Sequence, residues 1–410
     1  MRILLITPVF HPEPYYLRGL PFARELVRRG LEVEVLTGFP NYPTGRIFPG
    51  WRQRLCHRET VEGVHITRVP LYPSHDGSGL KRAITYLSHT LSMCLQGPFR
   101  IRKPDLVHVN QGHATECLPA DLIQILRGAP YLLDIQDLWP ESVLDSRMLR
   151  LPGGKIMLDA LCHYTYRRAR HIVTLSEGVK VKLVERGVPG KKVSVLYNWC
   201  DAEQEKPLPK RGEGPDHFHL HDTFNVVYAG NLGPLQALGT VLEAAALLRE
   251  KKPRVRFLLI GSGLEETALK KTAAEQGLNN VLFIPRQPIP ELNQILAYAD
   301  AVLVHLKDTA LNRVGIPSKV QHCLAIGRPI LIGAPGSALE VVERARAGVS
   351  FEPGNAQGMA ATVERLCDMS HAEREALGQR GREFYLGNMS FDIGMTRLIE
   401  LYRQTASARQ

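Results

Sequence analysis

No C-x-x-C pair occurs in these 410 residues, and the seven cysteines (Cys56, Cys94, Cys117, Cys162, Cys200, Cys323, Cys367) are odd in number and scattered. That pattern argues for reduced thiols in a cytosolic compartment, most simply as small core residues. Also missing is any uncharged apolar run of the ~18 residues a membrane span needs. The longest weak candidate, Ala83 to Ile101, is broken by His89, Gln96, Gly97, Pro98 and Arg100, so an interfacial segment fits there and a span does not. Met1 to Phe10 lacks the length and cleavage pattern of a signal peptide and is expected to be a first strand. Acidic residues are scarce in one half only. Residues 1–200 hold 27 Lys and Arg against 17 Asp and Glu, whereas residues 201–410 hold 24 against 24, so the net charge of +10 belongs to the first half. That half is the candidate for meeting an anionic partner.

What is present reads as an α/β protein of two domains. The chain exceeds the ~250–300 residues at which one core stops growing. In the first half, apolar runs at Arg2 to Thr7, Leu31 to Thr37, Asp105 to Val109, Tyr131 to Ile135, His171 to Leu175 and Val193 to Leu196 read as strands. A helix over Leu20 to Arg29 is stopped by Gly30. From Asp201 to Asp222 the composition shifts to Glu, Lys, Pro, Gly and His, as in a linker. The alternation then restarts with strands at Phe224 to Tyr228, Val255 to Ile260, Asn280 to Ile284, Ala301 to Leu306 and Pro329 to Ile332. A last helix runs from about Phe391 to Gln404. Strand and helix in alternation imply two parallel sheets covered on both faces.

Two blocks in the second half carry chemistry. Thr223 to Leu238 (TFNVVYAGNLGPLQAL) is a strand running into a glycine turn that opens a helix, the place where phosphates bind in such folds. Gly315 to Ile332 (GIPSKVQHCLAIGRPILI) places Pro317 and Ser318 at a helix start whose free N–H groups suit a phosphate, with Lys319 adding a full charge. A third block, Asp216 to Asp222 (DHFHLHD), would align His217, His219 and His221 if extended. It sits in the linker with no supporting ligands and is read as a solvated hinge, so no metal site is expected.

GNLGPLQAL (230–238) together with GIPSK (315–319) and LAIGRP (324–329) resembles the C-terminal donor domain of glycosyltransferase family 4. The similarity is to the fucosamine-transferase-like subgroup acting in colanic acid, O-antigen and capsular polysaccharide synthesis. The first half agrees through PVFHPEP (8–14), TGFPNYPTGRI (37–47), IQDLWPES (135–142), LSEGVK (175–180) and YNWCD (197–201). The resemblance implies a GT-B fold, with two Rossmann-like domains and the active site between them. It implies an N-terminal acceptor domain over 1–203, a linker over 204–222, a donor domain over 223–388 and a helix over 389–410 returning to the N-terminal domain. Transfer from a nucleotide diphosphate sugar, UDP-sugar being the first choice, with retention of configuration and no cofactor, follows from the same resemblance. No metal is implied, and the Asp-x-Asp element by which the other common transferase fold holds a cation is absent. The implied partners are the donor and a lipid-linked glycan acceptor, with no nucleic acid. The implied location is cytoplasmic, peripheral to the inner face of the membrane through the basic first half.

Residue by residue, Gly230, Asn231, Gln236, Gly261, Arg286, Pro317, Ser318, Lys319 and His322 are the donor-binding candidates. Asn231 and Gln236 stand where many members carry an Arg and a Lys that clamp the diphosphate. Neutral amides donate hydrogen bonds but neutralise nothing, which leaves Lys319, and more weakly Arg313, as the cation for the leaving group. Two glutamates of the wider family are replaced by Val314 and His322; His322 is a candidate for a ribose hydroxyl. Asp137 is the first candidate and His113 the second for the acceptor hydroxyl or for charge developing on the sugar ring, with Lys319 the third catalytic candidate. Phe39, Asn41, Tyr42, Arg46 and Glu141 are the acceptor-binding candidates. The alternatives are a UDP-sugar epimerase or hydrolase of the same fold and a catalytically silent partner subunit.

Overall fold

Aliphatic runs without polar alternation build the central strands, as burial on both faces requires. The computed structural model describes residues 1–15, 17–75, 79–141, 154–201, 206, 208–209 and 218–407. Two units result: Met1–Tyr197 with Gly394–Gln410, and Asn198–Ile393.

In the first unit the strands are β1 (Arg2–Ile6), β2 (Glu32–Gly38), β3 (His57–Val61), β4 (Val64–Val69), β5 (Leu106–Gln111), β6 (Tyr131–Ile135), β7 (His171–Thr174) and β8 (Val193–Val195). They form one sheet in the order β3-β4-β2-β1-β5-β6-β7-β8, parallel except for the β3–β4 hairpin. Helices α1 (Leu20–Arg28), α2 (Gly79–Arg100), α3 (Cys117–Arg127), α4 (Gly154–Arg168) and α5 (Glu177–Glu185) accompany it. The apolar stretch around Ala83 to Ile101 is therefore the body of a 22-residue helix, and no helix among the described residues is long and apolar enough to cross a membrane.

The second unit holds β9 (Phe224–Ala229), β10 (Val255–Ile260), β11 (Val281–Ile284), β12 (Ala301–His305), β13 (Ile330–Gly333) and β14 (Gly348–Ser350), all parallel, in the order β11-β10-β9-β12-β13-β14. Its helices are α6 (Gly239–Lys251), α7 (Glu266–Glu275), α8 (Ile289–Leu296), α9 (Ala310–Val314), α10 (Ser318–Ile326), α11 (Ser337–Ala345), α12 (Ala356–Asp368) and α13 (His371–Asn388). A last helix, α14 (Phe391–Ser407), belongs to the first unit from Gly394 onward. There it buries Leu398 and Tyr402, and the Tyr402 hydroxyl is hydrogen-bonded to Nδ1 of His108 on β5.

Sequential strand order reverses between β1 and β5 in one sheet and between β9 and β12 in the other. Ligands of doubly wound sheets bind outside the carboxyl ends of the strands at such switch points. The loops after β1, β5, β9 and β12 are therefore where a site is sought.

Candidate functional site

In the second unit the turn after β9 is built by two glycines pressed together. Gly230 and Gly261 have φ of 149° and 145°, and a Cβ on Gly261 would lie 1.9 Å from the Gly230 carbonyl oxygen. Backbone conformation disfavours a side chain at both positions, and at Gly261 space excludes one as well. The turn does not open the helix directly. A 3-10 segment, Pro234–Gln236, and a left-handed Ala237 intervene before α6, because Lys307 donates its N–H to the Leu235 carbonyl (2.8 Å) and so ties the turn to the chain leaving β12.

Lys319 reaches this turn from the first residues of α10. Pro317 is its N-cap and no side chain caps it, leaving the amino end open. The ammonium lies 3.4 Å from the centre of the Tyr228 ring and 3.0 Å from where a Gly230 Cβ would stand. Among the described residues no carboxylate pairs with it. Burial pushes the Lys319 ammonium down to about 7, since lost hydration disfavours the charged form. The Tyr228 hydroxyl donates to the Asn231 carbonyl (2.6 Å), and Asn231 Nδ2 approaches Gln236 Oε1 at 3.4 Å. Gly230, Asn231, Gln236, Gly261 and Lys319 thus form one cluster at the β9–β12 switch point.

His322 follows three residues after Lys319 on the same helix face. Its Nε2 is buried without a hydrogen-bond partner, and burial pushes its pKa down to about 4. Val314 is buried, whereas Ser318 and Arg286 are exposed. Arg313 is exposed and paired with Asp308 at 2.5 Å, so it is no free cation for a phosphate.

His305, which the sequence reading did not single out, ends β12 beside this turn. It accepts the Gly354 N–H at 3.1 Å, burial pushes its pKa down to about 4, and the Gln236 and Ala237 backbone opposes that shift. A histidine in the last position of a parallel strand was the available signal.

The first unit rearranges the expected acceptor residues. Phe39 is not at a surface: it is 1% exposed and packs edge-on against Trp51 at 6.3 Å. The polar anchor of its loop is Glu13, which accepts the N–H groups of Asn41 (2.8 Å), Tyr42 (2.7 Å) and Phe10 (3.0 Å). Tyr42 and Arg46 remain exposed and Asn41 partly so. Glu141 is engaged by Arg186 rather than standing free.

Asp137 stays exposed just beyond β6, with its carboxyl raised above the usual range by loss of hydration. His113 is instead 2% exposed, its ring stacked on Tyr86 at 4.2 Å. Of the linker histidines, His219 is exposed, the His221 ring packs edge-on against Tyr298 at 5.0 Å, and His217 lies outside the described residues.

Comparisons with known proteins converge on one group. The family description "Glycosyl transferase 4-like domain" matches residues 20–199 and "Glycosyl transferases group 1" matches residues 215–384. The colanic acid biosynthesis glycosyl transferase WcaI of Escherichia coli K12 is 29% identical over 356 residues, covering 82% of this chain and 83% of that protein. The glycosyltransferase WbjE of Pseudomonas aeruginosa is 22% identical over 334 residues, covering 80% of this chain and 82% of that one. Among solved structures, Anabaena HepE in complex with UDP superposes with a TM-score of 0.73 at 14% identity, over 98% of this chain and 100% of that one. The trehalose 6-phosphate synthase of Burkholderia multivorans gives 0.71 at 13% identity, over 99% and 97%. The likeness to those structures establishes the fold, GT-B.

Proposed function

The chain belongs to the family 4 glycosyltransferases, which use nucleotide-sugar donors, and we propose that it moves a sugar from UDP to a lipid-linked glycan in surface polysaccharide synthesis. The carrying observation is Lys319, an unpaired ammonium held at an open helix start against a glycine turn. A diphosphate supplies the anion that this arrangement lacks. UDP is preferred because HepE, of the same fold, was solved with UDP and with UDP-glucose. The surface polysaccharide rests on the likeness to WcaI.

In this reading Lys319, the open N–H groups of α10 and the amides around Gly230 and Asn231 hold the departing diphosphate without a metal bridge. His322 offers its free Nε2 to the ribose, and Asp137 orients the acceptor hydroxyl. The C1–O bond to the β-phosphate breaks, the acceptor oxygen bonds C1 on the same face, and the acceptor proton passes to the leaving phosphate. Incubation with a panel of UDP-sugars and a polyprenyl-diphosphate glycan tests this. Acceptor-dependent product in the presence of EDTA is expected. Isomerisation or hydrolysis alone supports an epimerase or hydrolase, and no donor binding supports a silent subunit.

Membrane contact is assigned to α2. Leu80, Leu87, Leu91, Leu95 and Phe99 are each more than half exposed at helical spacing, and Arg100, Arg102 and Lys103 follow them at the surface. An apolar stripe beside basic residues suits the surface of an anionic bilayer, at about 1 kcal/mol per basic residue. Leu87→Ser/Leu91→Ser/Leu95→Ser is expected to weaken partitioning onto phosphatidylglycerol vesicles on the order of 100-fold, from roughly 1 kcal/mol of lost burial per leucine. UDP affinity in solution is expected to stay unchanged. Equal sedimentation of variant and parent with vesicles would remove this role from the helix.

A further inference from the structure

We infer that His89, His113 and Glu116 form a zinc-class divalent cation site that fastens α2 to the loop after β5. All three are buried, and their ligand atoms lie within 4.8 Å of one another. His89 Nε2, His113 Nε2 and Glu116 Oε1 are buried with no hydrogen-bond partner. Three buried polar atoms without partners, gathered this closely, are costly in an apolar interior unless something binds them.

The surroundings prepare each ligand. Glu116 spends Oε2 on the N–H groups of Gly112 (2.6 Å) and His113 (3.1 Å), which leaves Oε1 for a cation. His113 Nδ1 is hydrogen-bonded to Thr115 Oγ1 (2.9 Å), itself bonded to Thr90 Oγ1 (2.8 Å). In the tautomer whose Nδ1–H donates to that hydroxyl, Nε2 presents its lone pair, the outer-shell arrangement typical of a metal-bound histidine. Two further features bear on the opening. A Cβ on Gly38 would stand 3.2 Å from His89 Nε2, so the glycine keeps the space beside that nitrogen clear. His113 Nε2 and Glu116 Oε1 are 3.6 Å apart, close to the roughly 3.3 Å edge of a tetrahedral site with zinc bonds of about 2.0–2.1 Å.

Two imidazoles and one carboxylate suit Zn²⁺ and, as its spectroscopic substitute, Co²⁺. The sequence alone did not suggest the site, because His89 lies on α2 while His113 caps, and Glu116 ends, the 3-10 segment Ala114–Glu116 after β5.

The test uses the full chain, stripped of metal, given one equivalent of Zn²⁺ and gel-filtered before elemental analysis. One retained Zn²⁺ per chain with a raised Tm is expected, and Co²⁺ is expected to give d–d bands without thiolate charge-transfer absorption. His89→Gln and Glu116→Gln are each expected to weaken retention by more than about 100-fold, beyond the 10- to 100-fold typical of losing an outer-shell partner. A His217→Gln/His219→Gln/His221→Gln variant is expected to retain metal as the parent does. The proposal is overturned if the parent retains no metal. It is equally overturned if His89→Gln and Glu116→Gln keep the parent's stoichiometry and Tm rise, or if retention follows the linker histidines.

Discussion

Lys319→Ala is expected to lower turnover by about 100- to 1,000-fold and to weaken UDP binding about 10- to 100-fold at pH 7, as loss of one charge-assisted donor to a leaving oxyanion does. Asn231 and Gln236 can donate hydrogen bonds to the diphosphate but cannot neutralise it. Arg313, the weaker cation candidate, is paired with Asp308.

The same residue sets a pH dependence. Burial holds free Lys319 at about 7, far below the ordinary lysine value of 10.5. Because its folded pKa is depressed, charging it opposes folding. That penalty is complete below about pH 7 and fades as pH rises towards the unfolded value. A bound diphosphate favours the charged form and raises the pKa, so above pH 7 binding draws in a proton and affinity falls with rising pH. Lys319→Met removes the penalty. At pH 7 it is expected to raise Tm while abolishing turnover; a lowered Tm would contradict the burial argument.

Arg18→Leu is expected to carry the largest cost in stability, about 3–5 kcal/mol, as removal of one member of a buried ion pair does. Arg18 and Asp134 have side chains 0% and 1% exposed, with Nε to Oδ2 at 2.6 Å. His108 Nε2 lies 3.2 Å from the same oxygen, and Gln136 donates to the other at 2.7 Å. Burial would raise the Asp134 carboxyl, but Arg18 and His108 outweigh it and hold it at about 2. The group joins β5, β6 and, through His108 and Tyr402, α14.

At about 2–4 °C per kcal/mol for a unit of this size, Tm should drop by roughly 6–20 °C at pH 7. With its folded pKa depressed from 3.8, Asp134 contributes stability above that value, lost as pH falls through about 2. The variant's carboxylate loses the Arg18 charge, keeps only His108 and Gln136, and protonates more readily. The gap between parent and variant should therefore narrow from pH 7 to pH 4 in thermal melts. A constant gap would mean that Arg18 acts through packing alone. Arg18→Leu/Asp134→Leu should recover part of the loss, because no charge is then left stranded.

Much of this was legible from pattern. β1, β6, β9 and β10 declare themselves because doubly covered parallel strands are continuous aliphatic runs, and α10 because proline starts it and glycine ends it. The β3–β4 hairpin escaped notice because HRETV is a polar edge strand with no apolar period. The donor cluster was half readable: Lys319 and Gly230 stand in recognisable blocks, whereas Tyr228 looked like one more core residue of its strand. Its second role, a ring under the ammonium, appears only once α10 lies across the β9 turn. In the first unit, Phe39 and His113 carry the right chemistry on the right loops, yet both turned out buried. Loop composition indicates which residues are nearby, not which way they point, and contacts between Glu13 and Asn41 or His89 and Glu116 leave no trace in local spacing.

Calorimetric titration of the full chain with UDP at about pH 8, in two buffers of different ionisation enthalpy, tests the central claim most directly. The account predicts one UDP per chain, uptake approaching one proton per UDP, and loss of that uptake in Lys319→Ala. Absence of UDP binding, or binding with no proton uptake and the same affinity in Lys319→Ala, would contradict it.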